Sequence, residues 1–407
     1  MTLATSTLRP NLSALQQYGV ITANYWSFTL TDGALRMLVV LYFHQLGYGA
    51  LDIALLFLFY EFFGVVTNLV GGWLGARIGL NKTMNIGIGL QLIALTMLLA
   101  PTPWLSIVWV MAAQALSGIA KDLNKMSAKS AIKQLVPHKA QGALFKWVAI
   151  LTGSKNALKG VGFFIGALLL NILGFSGAIL SMIILLTCTL LCSLILLNKN
   201  LGQSQQKTKF SQLFSKSPAI NALSFSRLFL FASRDVWFVV ALPVFLSQYW
   251  SWSPTMVGGF FATWIIAYGL IQTLTPAITR KNLPNGKLCA QWAFALAIIP
   301  AVLTLLVADA SANNVLFSLA FIVGLFIFGA VFAVNSSMHS YLIVRLAAHE
   351  GTSLDVGFYY MANAAGRLLG TVLSGAVFQW WGLEACLWVS SGFLLIAAFS
   401  VAVVKTT

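Results

Sequence analysis

Between short polar breaks the chain is divided into about twelve apolar segments, each about 20 residues or longer. In hydrocarbon no water satisfies a backbone N–H or C=O, so such a segment must adopt a structure that closes its own hydrogen bonds. A helix does so, and it crosses a core of about 30 Å in about 20 residues. The segments fall at 18–44, 53–76, 84–100, 104–126, 141–173 and 176–198, then at 219–249, 255–279, 288–308, 314–344, 354–381 and 383–404. An all-α membrane protein with twelve transmembrane helices in two groups of six is expected. Composition agrees, since 59% hydrophobic against 8% charged residues is too apolar for a soluble domain of 407 residues.

The one long polar stretch, 199–217, carries Gln203-Ser-Gln-Gln and several lysines. It reads as a solvated basic linker between an N-terminal bundle, 1–198, and a C-terminal bundle, 218–407. Met1 to Gln17 is polar and lacks a cleavage site, so the first helix is expected to direct insertion.

A net charge of +15 suggests nucleic acid in a soluble protein, but its placement here points to a membrane. Arg77 and Lys82 follow the second segment; Lys129, Lys133 and Lys139 follow the fourth; the linker follows the sixth. Arg280, Lys281 and Lys287 follow the eighth, Arg345 the tenth and Lys405 the twelfth, while the alternate loops hold no Lys or Arg. The positive-inside rule then puts both termini in the cytoplasm.

Nine Lys and Arg remain within or at the ends of the segments, and six of them lie in otherwise apolar stretches: Arg36, Lys155, Lys159, Arg227, Arg234 and Arg367. Each costs at least about 2.5 to 3.5 kcal/mol at that depth unless it meets an acid or a water-filled cavity. Asp32 and Arg36 are one helical turn apart and are expected to pair. Asp235 adjoins Arg234, with Arg227 two turns earlier on the same face. Lys155 and Lys159 share a face with Asn156 nearby and no acid in their segment. Set against Asp32, Glu61 and Asp235, the six leave an excess of about three positive charges, which suits a multiply anionic ligand held bidentately by arginines and by lysine point charges. The same three carboxylates are candidates for coupling to protons. Tyr25, Trp26, Tyr60, Trp147, Trp237 and Trp264 are aromatics that would suit a cavity wall.

Lys121, Asp122, Lys125, Lys129 and Lys133 recur near four-residue spacing, which reads either as an electrostatic funnel drawing anions from the cytoplasm or as a solvated basic helix end obeying the positive-inside rule. His339 is the one histidine placed to join a site. Cys188 and Cys192, one turn apart, have a spacing open to a soft metal or a trivalent arsenical, but two thiols without a third ligand read as packing residues, as do Cys289 and Cys386. No phosphate-binding loop, metal site, nucleophile or cofactor site is visible, and a monomer is expected. The halves also show a faint repeat. Phe28 to Asp32 align with Phe231 to Asp235 at an offset of 203, and Lys159, Gly162 and Gly174 meet Arg367, Gly370 and Gly382 at 208.

The number of spans, their 6+6 division and the basic central loop resemble the major facilitator superfamily. Gly72-Trp-Leu-Gly-Ala-Arg77-Ile-Gly79-Leu-Asn-Lys82 is similar to its signature Gly-x-x-x-Asp-Arg-x-Gly-x-Arg-Arg/Lys, with Ala76 in the acidic position and Asn81 in a basic one. The resemblance implies a gating role for Arg77 and Lys82, without the usual carboxylate. Five strings resemble the ArsJ-type organoarsenical efflux permeases: Asn24-Tyr-Trp-Ser-Phe-Thr-Leu-Thr-Asp32-Gly-Ala-Leu-Arg36; Phe59-Tyr-Glu61-Phe-Phe-Gly-Val-Val-Thr-Asn68; Ser117-Gly-Ile-Ala-Lys121-Asp122-Leu-Asn-Lys125-Met-Ser-Ala-Lys129; Gly153-Ser-Lys155-Asn-Ala-Leu-Lys159-Gly; and Phe231-Ala-Ser-Arg234-Asp235-Val-Trp. That resemblance implies export of 1-arseno-3-phosphoglycerate across a bacterial cytoplasmic membrane, conferring arsenate resistance, with glyceraldehyde-3-phosphate dehydrogenase as functional partner. The residues alone leave open a carrier of organophosphates or other organic anions, by uptake or proton-coupled exchange, and a membrane receptor without flux.

Overall fold

A computed structural model describes residues 12–47, 56–136, 140–197, 200–203, 217–252, 254–279, 282–308, 315–349 and 351–405. These form eleven α-helices: α1 Ala14–Gln45, α2 Leu58–Ile78, α3 Leu80–Met97, α4 Ile107–Leu135, α5 Gln141–Leu196, α6 Pro218–Phe238, α7 Ala241–Gln248, α8 Pro254–Ile278, α9 Gly286–Ala308, α10 Val315–Leu346 and α11 Thr352–Ala402. No strand occurs among the described residues.

Two of these helices are double spans. α5 breaks at Gly174 (φ 68, ψ −178) and α11 at Gly382 (φ 74, ψ −172), a backbone region that is open essentially to glycine alone. One residue therefore turns each chain back across the bilayer. The short α7 continues α6 past Val239 and Val240, so the helices supply twelve crossings. The corners at Gly174 and Gly382 stand 208 residues apart, as do two close packings. A Cβ on Gly162 would lie 2.5 Å from the Leu30 carbonyl oxygen in α1, and one on Gly370 would lie 2.8 Å from that of Ala232 in α6. Small residues at these crossings let α5 press on α1 and α11 press on α6.

By length and hydropathy six of the described helices, the two double ones included, suit a membrane crossing. The polar residues Asn24, Thr29, Thr31, Asp32 and Arg36 on α1, and Gln114, Lys121, Asp122, Asn124, Lys125 and Lys129 on α4, account for the low hydropathy of those two helices. Most of these side chains are buried within the protein, and α1 and α4 are joined by Asn124 Nδ2 donating to Asn24 Oδ1 at 3.0 Å. α4 runs to Leu135 rather than ending near 126, so Lys129 and Lys133 are helical residues.

The apolar core comes in three main parts. One belongs to the first half, around Phe28, Leu38, Phe43 and Ile179. Another belongs to the second half, around Trp237, Trp264, Phe321 and Phe328. The third joins the halves: Met126, Leu144 and Phe145 pack with Tyr341, Val344 and Tyr359. It lies toward the basic face, where Lys133 Nζ donates to the Arg345 carbonyl at 2.8 Å, Gln134 Nε2 to that of His349 at 2.8 Å, and Ser353 Oγ to that of Gly72 at 2.7 Å. The molecule is thus sealed at the basic face, while toward the opposite face each half keeps its own core. Of the linker 199–217, residues 200–203 fold against the α2–α3 corner, with Leu80 N donating to the Leu201 carbonyl at 2.9 Å; residues 199 and 204–216 lie outside the described ones.

Candidate functional site

In the first half the cations gather around α4. Asp122, 2% exposed, pairs with Lys125 and lies 3.8 Å from Lys121. Lys121 sits over the Tyr60 ring, 3.7 Å from its centre, and the Tyr60 hydroxyl donates to Asp32 Oδ1 at 2.6 Å. Lys155, half-buried on α5, is within electrostatic range of Lys121, Lys125, Lys129 and Lys159, and of Asp122. The sequence places these residues on one spot because Lys121, Lys125 and Lys129 stand one turn apart on a helix whose neighbours α1, α2 and α5 carry the tyrosine and the other lysines.

In the second half, Arg227 (3% exposed) donates through Nε to Asn363 Oδ1 at 2.9 Å and through Nη1 to the Ser336 carbonyl at 3.0 Å. Asp235, 1% exposed, takes Arg234 at 2.6 Å from Nε and 2.5 Å from Nη2, and lies 3.4 Å from Arg367 Nε. Arg367 is the most open of the three. The halves meet through amides and hydroxyls: Asn156 Nδ2 donates to Gln272 Oε1 at 2.6 Å, Gln272 Nε2 to the Tyr268 hydroxyl at 2.7 Å, and Tyr268 to Ser336 Oγ at 3.2 Å. That hydroxyl also accepts from Arg227 at 3.1 Å, so a continuous polar chain links Asn156 on α5 to Arg227 on α6. Lys129 is in electrostatic range of Arg227, which brings the two basic groups together.

Several expectations change. Asp32 is engaged by Tyr60 rather than by Arg36, because the tyrosine hydroxyl reaches the carboxylate directly, and Arg36 instead lies 4.9 Å and 5.1 Å from the ring centres of Tyr60 and Phe57. Arg36 and Lys159 both have further partners in the chain. Lys121, Asp122 and Lys125 are not a solvated helix end: α4 is packed on both sides, so they are held inside with Lys129. Arg77 and Lys82 stay at the basic face, apart from this cluster. Arg77 lies over Trp73 at 5.0 Å, Lys82 reaches Asn200 Oδ1 at 3.4 Å, and Gly79 makes the corner between α2 and α3 at φ 102. Ala76, in the acidic position of the loop, is fully buried against Leu354 of the second half. Glu61 is in α2, but its side chain lies outside the described ones.

Among the aromatics, Tyr60 belongs to the site, Tyr25 is buried within electrostatic range of Asp122 and Asp32, and Trp26 donates to Ser154 Oγ at 2.7 Å. Trp147 stacks on Tyr18, while Trp237 and Trp264 are core residues. Cys188 and Cys192 are exposed on the outer limb of α5, Cys289 and Cys386 are buried, and His339 is buried within range of Arg227. No group of three His, Cys, Asp or Glu suited to a metal occurs among the described residues. Residues that the sequence did not single out include Tyr360, Gln272, Tyr268, Ser336 and Asn363. The signal was present in Asn335-Ser-Ser-Met-His-Ser340, a polar run in an apolar helix.

The family profile described as Major Facilitator Superfamily matches residues 21–233. No curated protein matches the sequence. Solved structures are similar in fold. The E. coli fucose:proton symporter FucP aligns at TM-score 0.74 and 10% identity over 97% of this chain and 100% of that one. The human organic anion transporter MFSD10 aligns at 0.75 and 15% over 96% and 100%. A bacterial homologue of the iron transporter ferroportin, in an outward-facing state, aligns at 0.73 and 15% over 94% and 98%.

Proposed function

The chain belongs to the major facilitator superfamily and is a multi-pass secondary carrier of that family, and from that premise we propose that its cargo is a small, multiply anionic organic molecule, 1-arseno-3-phosphoglycerate, exported from the cytoplasm. The observation that carries this reading is the charge held inside the helices. The helices carry Arg36, Lys121, Lys125, Lys129, Lys155, Lys159, Arg227, Arg234 and Arg367 against the carboxylates Asp32, Asp122, Asp235 and Glu61. Nine cations against four carboxylates give that set a net charge of +5, and a cation at that depth is tolerable when an anion visits it. A phosphate monoester carries about −1.5 to −2 at neutral pH, and an arsenate group at the other end of a three-carbon acid adds a similar charge.

The two halves suit the two ends of such a molecule. The lysines of α4 and α5 supply point charges, and the arginines of α6 and α11 supply planar forks that match tetrahedral oxyanions. Rocking of one half against the other opens the site to either side in turn. With the basic face cytoplasmic, both termini inside and a bacterial cytoplasmic membrane as its place, the form described here is shut toward the cytoplasm. Glyceraldehyde-3-phosphate dehydrogenase supplies the ester as a functional partner. Asp32, Glu61 and Asp235 are the proposed proton carriers, and an amide at the true carrier uncouples flux from pH.

A second reading, a carrier of organophosphates or other organic anions, is favoured by the chemistry of the same side chains: lysine ammoniums and arginine forks suit phosphate and arsenate oxyanions alike, so these contacts do not select arsenic over phosphorus. The test uses everted membrane vesicles with arsenate, glyceraldehyde 3-phosphate, NAD and the dehydrogenase outside. Arsenic accumulation with the complete mixture and not with arsenate alone supports arsenical export. No accumulation above empty vesicles while the ester forms removes it and leaves the organophosphate reading.

A further inference from the structure

Lys129 is 3% exposed, and among the described residues no carboxylate pairs with it. Its ammonium donates to Thr152 Oγ1 at 3.1 Å in its own half and to the Tyr360 hydroxyl at 2.5 Å in the other. The ring of Tyr360 is centred 4.7 Å away. The charges that act on it, Arg227 and Lys125, have its own sign. Asp122 does not neutralise it, being taken by Lys125 and Lys121. A desolvated ammonium among cations is therefore held by two hydroxyls and a ring face.

Tyr360 sits on the limb of α11 that seals the basic face. Ser353 and Gly357 of that limb are pressed on Gly72 and Asn68 of α2, so closely that a Cβ on Gly357 would lie 2.6 Å from the Asn68 carbonyl. When the halves part at this face, Tyr360 leaves with α11 and Thr152 stays. Lys129 then faces the opening with donors to spare, since an ammonium has three.

We infer that Lys129 is an anion-binding residue of the form open at the basic face, and that the Tyr360 hydroxyl takes the place of the anion's oxygen when that face closes. The inference rests on the anion-carrier reading above. It gives closure a direction: the arriving hydroxyl displaces the anion from Lys129 toward Lys125, Lys121 and Lys155. It also lets the empty carrier close, because Tyr360 caps an ammonium that would otherwise be buried bare.

The test is a thiol reporter at the seam, Ser353→Cys, in full-length protein in everted vesicles, labelled by a membrane-impermeant maleimide. Labelling is read against protein lacking the reporter. Tyr360→Phe removes the cap and is expected to raise labelling by on the order of tenfold, the scale of a hydrogen bond to a charged group. Lys129→Gln removes the charge that opposes closure, so labelling falls or stays level, and the effect of Tyr360→Phe disappears in the double variant. Added 3-phosphoglycerate raises labelling in the wild type, not in Lys129→Gln, and again in Lys129→Arg, which keeps the charge and guards against misfolding. The inference is overturned if both single variants loosen the seam alike, as an ordinary interface contact would. It is also overturned if 3-phosphoglycerate acts equally on Lys129→Gln and wild type, or on neither. Failure of the carrier reading has a different signature: wild-type vesicles then accumulate neither arsenic from the complete mixture of arsenate, glyceraldehyde 3-phosphate, NAD and dehydrogenase nor 3-phosphoglycerate.

Discussion

Replacing Asp235 by asparagine keeps the side chain's size and removes the charge that Arg234 and Arg367 share. Taking one partner from a buried ion pair costs about 3–5 kcal/mol, because the other charge stays behind. Here Asp235 and the Arg234 side chain are 1% and 15% exposed, whereas Arg367 is 37% exposed and is partly screened by water. The Arg234 contact therefore carries most of the loss, near the lower figure of about 3 kcal/mol. For a bundle of roughly 200 residues, about 2–4 °C per kcal/mol turns this into a melting temperature lower by about 6–12 °C. An anion replaces the missing charge, so 3-phosphoglycerate should restore more in Asp235→Asn than it adds to the wild type. In the wild type a ligand at a hundred times its Kd contributes about 2.7 kcal/mol. The assay is thermal unfolding of purified protein in detergent, with and without 3-phosphoglycerate. A loss under about 2 °C, or an anion effect no larger than in the wild type, would refute the reasoning.

Other substitutions test other parts of the account. Arg227→Lys loses the fork to Asn363 and Ser336, and 3-phosphoglycerate binding measured by calorimetry should weaken by about tenfold. Ala76→Asp buries a carboxylate against Leu354 at the seam, so the basic face should open and the Ser353→Cys reporter should label faster. Gly162→Ala pushes α5 off α1 and should cost about 1–3 kcal/mol of stability, visible as a lower melting temperature. Cys188→Ser combined with Cys192→Ser should leave vesicle flux within about twofold of wild type, since both thiols lie outside the cation cluster.

The all-helical membrane fold was legible because each apolar run has one viable backbone solution in hydrocarbon, and its glycine corners at Gly174 and Gly382 show as paired positions in the two halves. The deep cations on α5, α6 and α11 were legible for the same reason, as charges that a lipid core does not tolerate. Their partners were less so. The spacing of Asp32 and Arg36 fits an ion pair, yet Tyr60, 28 residues away, reaches the carboxylate first. The lysines of α4 followed a positive-inside pattern that a solvated end and an inner site share, and only the packing of α1, α2 and α5 around that helix separates the two. Tyr360 and Gln272 act across the halves, where sequence spacing carries no information.

The central claim, a single anion site shared by the lysines of one half and the arginines of the other, is tested most directly by titrating purified protein with 3-phosphoglycerate. The wild type should bind, and Lys155→Gln and Arg234→Gln should each weaken binding by about tenfold or more, since each removes a charged contact from a different half. Binding that survives both substitutions unchanged, or a wild type that does not bind, would contradict it.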